Sequence, residues 1–173
     1  MLKPDIQDAF NKQITGEYYS SYLYLSMAAW FESKGLKGFA HWMLVQSQEE
    51  LTHVLKFFKF IHDRNGRVQL EAIDQPPREW ESPLDVFRAT LAHEEDVTAS
   101  IDQLVDLALH HRDHAAYNFL QWFVAEQVEE EANVGDLISQ LELVADDGRA
   151  LLMLDRELAQ RVPVVVSADT IPV

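Results

Sequence analysis

Four stretches of this chain repeat apolar residues at alternating steps of three and four, and little inside them breaks a helix. No other feature constrains the fold as strongly, because the pattern demands long amphipathic helices packed side by side. The first seam is Phe10, Ile14, Glu17, Ser21, Tyr24, Ala28, Phe31, and the second Phe39, Met43, Gln46, Glu50, His53, Phe57, Phe60. The third is Phe87, Leu91, Glu94, Thr98, Ile101, Val105, Ala108, and the fourth Leu120, Phe123, Gln127, Glu130, Val134, Leu137, Leu141.

Local signals bound these helices. Pro4 suits a first turn, with Asp5 favourable beside the N-terminal dipole, and the run continues to about Glu32. A turn at Ser33-Lys34-Gly35 leads to a second run from about Leu36 to His62, which Asn65-Gly66 stops. Arg67 to Glu81, with Pro76-Pro77, is irregular. Ser82-Pro83-Leu84-Asp85 restarts a helix with Ser as N-cap, Pro at N1 and an acid at N3. That run reaches about His111, and Asp113 caps a fourth run to about Val144. Asp146-Asp147-Gly148 opens a short fifth helix ending near Arg161, ahead of Pro163 and an apolar tail.

The connections predict the topology. Short links make helices one and two, and three and four, antiparallel neighbours. The link between helices two and three has roughly 16–19 residues, enough at ~3.3 Å each to span the ~40 Å of a helix of about 27 residues. Helices two and three are therefore parallel. The expected fold is all-α, a ferritin-like four-helix bundle with one long crossover plus a short C-terminal fifth helix. Residues 1–160 form one domain and residues 161–173 a tail.

Composition removes several functions. The 173 residues carry 14 Lys and Arg against 29 Asp and Glu, a net charge of −15, so binding to phosphate backbones is not expected. The absence of cysteine excludes disulfides, thiolate metal sites and thiol catalysis. No stretch suits a membrane span, and Met1-Leu2-Lys3-Pro4-Asp5 lacks the apolar core of a secretory signal, so the expected location is the cytoplasm.

Every seam is apolar at its ends and polar in its middle. The interruptions are Glu17, Glu50 with His53, Glu94, and Gln127 with Glu130. They lie roughly 16–26 Å into their helices, so a bundle can bring them to one level. One such glutamate is ordinarily a side chain that reaches out to water. Four helices interrupted at one depth point instead to a shared cation, because facing buried carboxylates repel and are costly to desolvate. Carboxylate oxygens with one imidazole suit iron or manganese. Glu50 and His53 supply the Glu-x-x-His spacing that sets both side chains on one helix face. Glu126, Glu129 and Glu130 form an acidic face that Glu49 could oppose, either as a solvated surface or as a third cation site.

The combination of Glu17 and Tyr24, Gln48-Glu49-Glu50-Leu51-Thr52-His53, His93-Glu94-Glu95 and residues 118–130 closely resembles the bacterial non-haem ferritins. The resemblance covers about residues 1–160. It implies a homo-oligomeric shell of twenty-four subunits that takes up Fe²⁺, oxidises it with O₂ at a dinuclear ferroxidase centre, and stores ferric mineral. By that resemblance Glu17, Glu50 and His53 bind one iron, and Glu50 bridges to a second held by Glu94 and Glu130. Gln127 matches the family's hydrogen-bonding residue at the centre. Glu49, Glu126, Glu129 and Glu130 match its third iron site. Tyr24 would hydrogen-bond a metal carboxylate and lend an electron, and Trp122 would share that role unless both are plain core. Leu51 occupies the position of the haem-ligating methionine of bacterioferritins, so no haem is expected.

Other residues are given blander expectations. His110, His111 and His114 suit a solvated turn, with a metal-guiding role near a threefold pore as the alternative that the resemblance implies, and His41, His62 and His93 have no evident partner. Lys56 and Lys59 stand where animal ferritins carry nucleating glutamates. The tail is expected to pack on a neighbour, line a pore or be disordered. The competing function is a di-iron or di-manganese oxidase or oxygenase for a small organic substrate, for which the aromatic seams leave no obvious room.

Overall fold

A computed structural model describes residues 1–163. Among the described residues there are five helices and no strand: α1 (Pro4–Ser33), α2 (Lys37–Asp63), α3 (Pro83–His110), α4 (His114–Val144) and α5 (Gly148–Leu158). None is long and apolar enough to cross a membrane. The expected apolar tail lies, from residue 164 onward, outside the described residues.

α1 pairs with α2, α3 pairs with α4, and α1 faces α3. α2 meets α4 through side chains such as Phe57 and Phe123, whose ring centroids are 4.4 Å apart. The crossover sets the remaining orientation by running back along α1. The Leu2 amide donates to the Arg64 carbonyl at 3.0 Å. Further on, the Arg67 amide donates to Gln7 Oε1 at 2.8 Å and the Gln69 amide to Asn11 Oδ1 at 2.9 Å. Ser26 Oγ donates to the Pro77 carbonyl at 2.6 Å, and Trp80 packs edge-on against Trp30. The segment thus climbs α1 from its first turn to its last third. α3 begins where α2 begins, and the two are parallel as expected.

The sequence signals act as hydrogen bonds. Ser82 Oγ accepts from the Asp85 amide at 3.1 Å, and Asp85 Oδ2 accepts from the Glu81 amide at 3.1 Å. Asp113 accepts from the Ala116 amide at 3.1 Å and holds Arg64 through two 3.0 Å bonds, which ties the end of α2 to the start of α4. Asn65 takes the left-handed conformation (φ 56°), and the Gly66 amide closes α2 on the Ile61 carbonyl at 2.8 Å.

The start of α2 has no cap of its own. Asp155, on α5, supplies it by accepting from the Gly38 amide at 2.8 Å and the Phe39 amide at 3.1 Å. Glycine is required there, because a Cβ on residue 38 would lie 1.5 Å from the Asp155 carbonyl oxygen. α5 itself closes at Leu158, earlier than expected. The Gln160 and Arg161 amides reach only three residues back, to Glu157 at 3.0 Å and Leu158 at 3.2 Å, which tightens the last turn.

The core divides in two. One cluster, around Phe31, Phe39, Phe87 and Leu137, includes Leu154 and Leu158 of α5. The other holds Phe10, Phe57, Ile61, Leu120 and Phe123. The polar level of the four seams lies between them. Gly38→Ala is expected to cost about 1–3 kcal/mol, as overpacking does. It should also speed amide exchange across Gly148–Leu158; unchanged exchange would mean that α5 does not depend on this contact.

Candidate metal centre

Heptad-like packing turns one or two seam side chains per helix into the mid-bundle layer, so they meet there. Glu17, Glu50 and His53 each offer a ligand atom, and these atoms all lie within 4.8 Å of one another. His53 Nδ1 is 3.1 Å from Glu50 Oε2 and 3.5 Å from Glu17 Oε2. The i, i+3 spacing puts Glu50 and His53 on one face of α2, and Glu17 comes from antiparallel α1.

The other two seam glutamates are held by donors. The Tyr24 hydroxyl donates to Glu94 Oε1. Gln127 Nε2 donates to Glu94 Oε2 at 3.0 Å and to its carbonyl at 3.2 Å. Gln46 Nε2 donates to Glu130 Oε2 at 2.8 Å, and Gln13 Nε2 to Glu17 Oε1 at 2.8 Å. All are buried: exposure is 1% at Glu17, 3% at Glu50 and His53, 2% at Glu94 and 5% at Glu130. Glu17 Oε2 has no hydrogen-bond partner among the described residues. A buried carboxylate oxygen in that state, beside a carboxylate and an imidazole, fits a cation.

Burial sets the electrostatics. It pushes Glu50 well above the usual carboxylate range and also raises Glu94. Burial and the Glu94 charge bring Glu130 to about 7. At Glu17 burial acts upward too, but the imidazole of His53 close by and the Gln13 hydrogen bond outweigh it and hold the carboxyl low. His53 is pushed well up, because the Glu50 charge, the hydrogen bond to Glu50 and the nearby Glu17 carboxylate overcome desolvation. Burial and the Glu94 charge raise the Tyr24 hydroxyl. Protons and cations therefore compete for this layer.

The acidic face beside this layer is arranged differently. Glu49 is buried and paired with Arg161 Nη2 at 2.5 Å. Glu126 is half-buried and Glu129 exposed. Among the described residues the compact cluster comprises Glu17, Glu50 and His53, without Glu49, Glu126 or Glu129. Trp122 lies against the layer, its ring edge-on to His53 with centroids 5.4 Å apart, and Lys56 Nζ sits 3.8 Å from its ring centre.

Several residues gain partners that the sequence did not reveal. His93 Nε2 is 2.8 Å from Ser20 Oγ, and its ring packs on Tyr19 and Tyr24, so it belongs to the wall of the centre. His41 Nε2 is 2.8 Å from the Arg161 carbonyl, and His62 packs on Phe58. His111 lies 3.2 Å from Asp5 Oδ2. Gln13 lies off the seam; its only sequence signal is the i, i+4 relation to Glu17. There is also more space than the aromatic seams suggest. A groove of 660 Å³ lies between α1 and α3, lined by Gly16, Tyr19, His93 and Asp96, with Gln13 as its link to Glu17.

Known proteins resemble both sequence and structure. Residues 7–144 match the family model described as Ferritin-like domain. A protein named bacterial non-heme ferritin from Bacteroides fragilis is 42% identical over 161 residues, which is 93% of this chain and 100% of that protein. A protein of the same name from Campylobacter jejuni is 35% identical over 156 residues, 90% of this chain and 93% of its own. The crystal structure of an open pore ferritin from the archaeon Archaeoglobus fulgidus has 52% identity and a TM-score of 0.93, covering 94% of this chain and 100% of that one.

The protonation pattern yields a test. Glu50, Glu94, Glu130 and His53 bind protons more tightly folded than unfolded, so their contribution to stability is lost as pH rises through their raised values. Glu17 acts in the opposite sense, and its contribution fades only as pH falls below the usual 4.5. The metal-free thermal midpoint is expected to fall between about pH 5.5 and pH 8, and a divalent cation at the upper pH should restore it. A midpoint that is flat with pH and indifferent to cations would contradict this electrostatic picture.

Proposed function

The chain belongs to the ferritin family, and from that premise we propose that it stores iron, oxidising Fe²⁺ to Fe³⁺ with O₂ at the mid-bundle layer. The observation that carries this reading is the buried convergence of Glu17, Glu50 and His53, with Glu94 and Glu130 beside them. Iron is the cargo and the substrate. Glu17, Glu50 and His53 take one Fe²⁺, Glu50 bridges, and Glu94 and Glu130 take the second. Gln127 and Tyr24 orient Glu94, Gln46 orients Glu130, and Gln13 orients Glu17.

The chemistry follows from these donors. Anionic oxygens stabilise Fe³⁺ more than Fe²⁺, so the layer favours oxidation. Two irons held together each give one electron, which suits a two-electron reduction of O₂. Any proton that iron displaces from this layer is available locally to the reduced oxygen. Tyr24 can pass its hydroxyl proton to Glu94 while lending an electron to the centre. Lys56 places a positive charge against Trp122, which opposes forming an indole cation there, so Tyr24 is the better donor.

Glu49, Glu126, Glu129 and Glu130 form the third position, on the α2–α4 side, through which oxidised iron leaves for the mineral. Assembly into a shell of twenty-four copies suits the apolar residues left outward on α2, where Leu51, Leu55 and Phe58 are 40%, 51% and 44% exposed. The alternative, an oxidase for a small organic molecule, gains some footing from the groove between α1 and α3. Its Gln13 contact, however, reaches Glu17 through a hydrogen bond and not through open space.

Stopped-flow oxidation tests the reading. The unsubstituted protein should oxidise many more irons than three per chain and accumulate a mineral-filled particle. Saturation at two or three would refute storage. Glu50→Ala and His53→Ala should each slow the fast phase by about tenfold or more. Unchanged rates in both would mean that the centre lies elsewhere. Leu55→Glu should shift the particle to smaller species in analytical ultracentrifugation, whereas an unaltered large assembly would remove this face from the interfaces.

A further inference from the structure

Glu49 does not face the third position as an unneutralised carboxylate. Its Oε2 receives Arg161 Nη2 at 2.5 Å, in a pair whose side chains are only 11% and 20% exposed. Arg161 follows the last turn of α5 and stretches across two turns of α2. Nη1 donates to the Trp42 carbonyl at 3.4 Å, and the guanidinium carbon lies 4.3 Å from the Trp42 ring centre. The Arg161 carbonyl is in turn 2.8 Å from His41 Nε2. The base of this arm is fixed, because Asp155 caps α2 and Gly38 admits the α5 backbone. A second protein cation, Lys56, lies farther along α2 and interacts with Glu126.

A carboxylate already holding a guanidinium cannot give the same oxygen to iron. The two cations compete, and whichever occupies Glu49 determines whether the residues after α5 are tied to α2. We propose that Arg161 is a resident counter-cation of the third position. Iron arriving there displaces it from Glu49, and the displacement releases the start of the C-terminal segment. The inference rests on the third position assigned above. It makes that position weaker than the dinuclear pair by construction, which suits iron in passage. It also makes occupancy of the position readable at the far end of the chain. Because the two cations compete for one carboxylate, removing the arginine must tighten iron binding by the factor with which the Arg161–Glu49 pair had suppressed it.

The test uses the assembled protein without oxygen. Fe²⁺ is titrated while calorimetry resolves the binding steps, and hydrogen–deuterium exchange follows peptides spanning residues 155–163. In the unsubstituted protein, exchange around Arg161 should rise with the third equivalent of iron and not with the first two. Arg161→Gln should tighten the third step by about fivefold to a hundredfold, leave the first two unchanged, and show rapid exchange without iron. Arg161→Lys, which keeps a cation but not the forked contact, should fall between the two. An unchanged third step in Arg161→Gln, or exchange that ignores the third iron, overturns the proposal and leaves the dinuclear centre standing. Loss of the first two steps in the unsubstituted protein would overturn both.

Discussion

The mutual repulsion of buried carboxylates governs this molecule. Glu17, Glu50, Glu94 and Glu130 share one layer between two apolar clusters. Such a layer would split a bundle unless its charge were contained. Containment comes from several sources at once. His53 stands between Glu17 and Glu50, burial raises the proton affinity of Glu50, Glu94 and Glu130, and amide or hydroxyl donors from Gln13, Gln46, Gln127 and Tyr24 hold the rest. Each measure is partial. A protonated carboxylate exchanges its proton for a cation, and Glu17 Oε2 still lacks a hydrogen-bond partner among the described residues. The fold thus maintains a layer whose remaining demand is for positive charge. Function and stability meet in the same few atoms.

Much of this layer was legible in the sequence because periodicity determines which face of a helix looks inward. Glu17, Glu50, His53, Glu94 and Glu130 interrupt apolar seams, so the steps of three and four reported them directly. The crossover was legible by length, and Ser82, Asp113 and Asp147 announced helix starts that their side chains do cap. Periodicity gives a face and a depth but no partner. It could not tell that Gln46, visible on its seam, serves Glu130 across the bundle, or that His93 joins Ser20. Gln13 lies off the seam altogether, where periodicity carries no signal for it.

The contacts of α5 were the least legible, for a related reason. Capping of α2 by Asp155, clearance at Gly38 and the seat of Arg161 on Glu49 join residues more than a hundred positions apart. No local rule links such positions. Glu49 illustrates the consequence. As a sequence it reads as one more member of an acidic run, while in the fold it is the point where the C-terminal segment grips α2. The acidic face and the mid-bundle layer therefore differ in kind. The layer is contained by His53 and by amide and hydroxyl donors, and the face by the protein cations Arg161 and Lys56.

The central claim is that the mid-bundle layer binds two adjacent irons. Anomalous X-ray scattering at the iron edge, from crystals soaked with Fe²⁺ without oxygen, tests it most directly. The account predicts two strong peaks within each subunit, one among Glu17, Glu50 and His53 and one among Glu50, Glu94 and Glu130, a few ångströms apart. Strong peaks confined to the turn histidines or to the outer surface, with none in this layer, would contradict it.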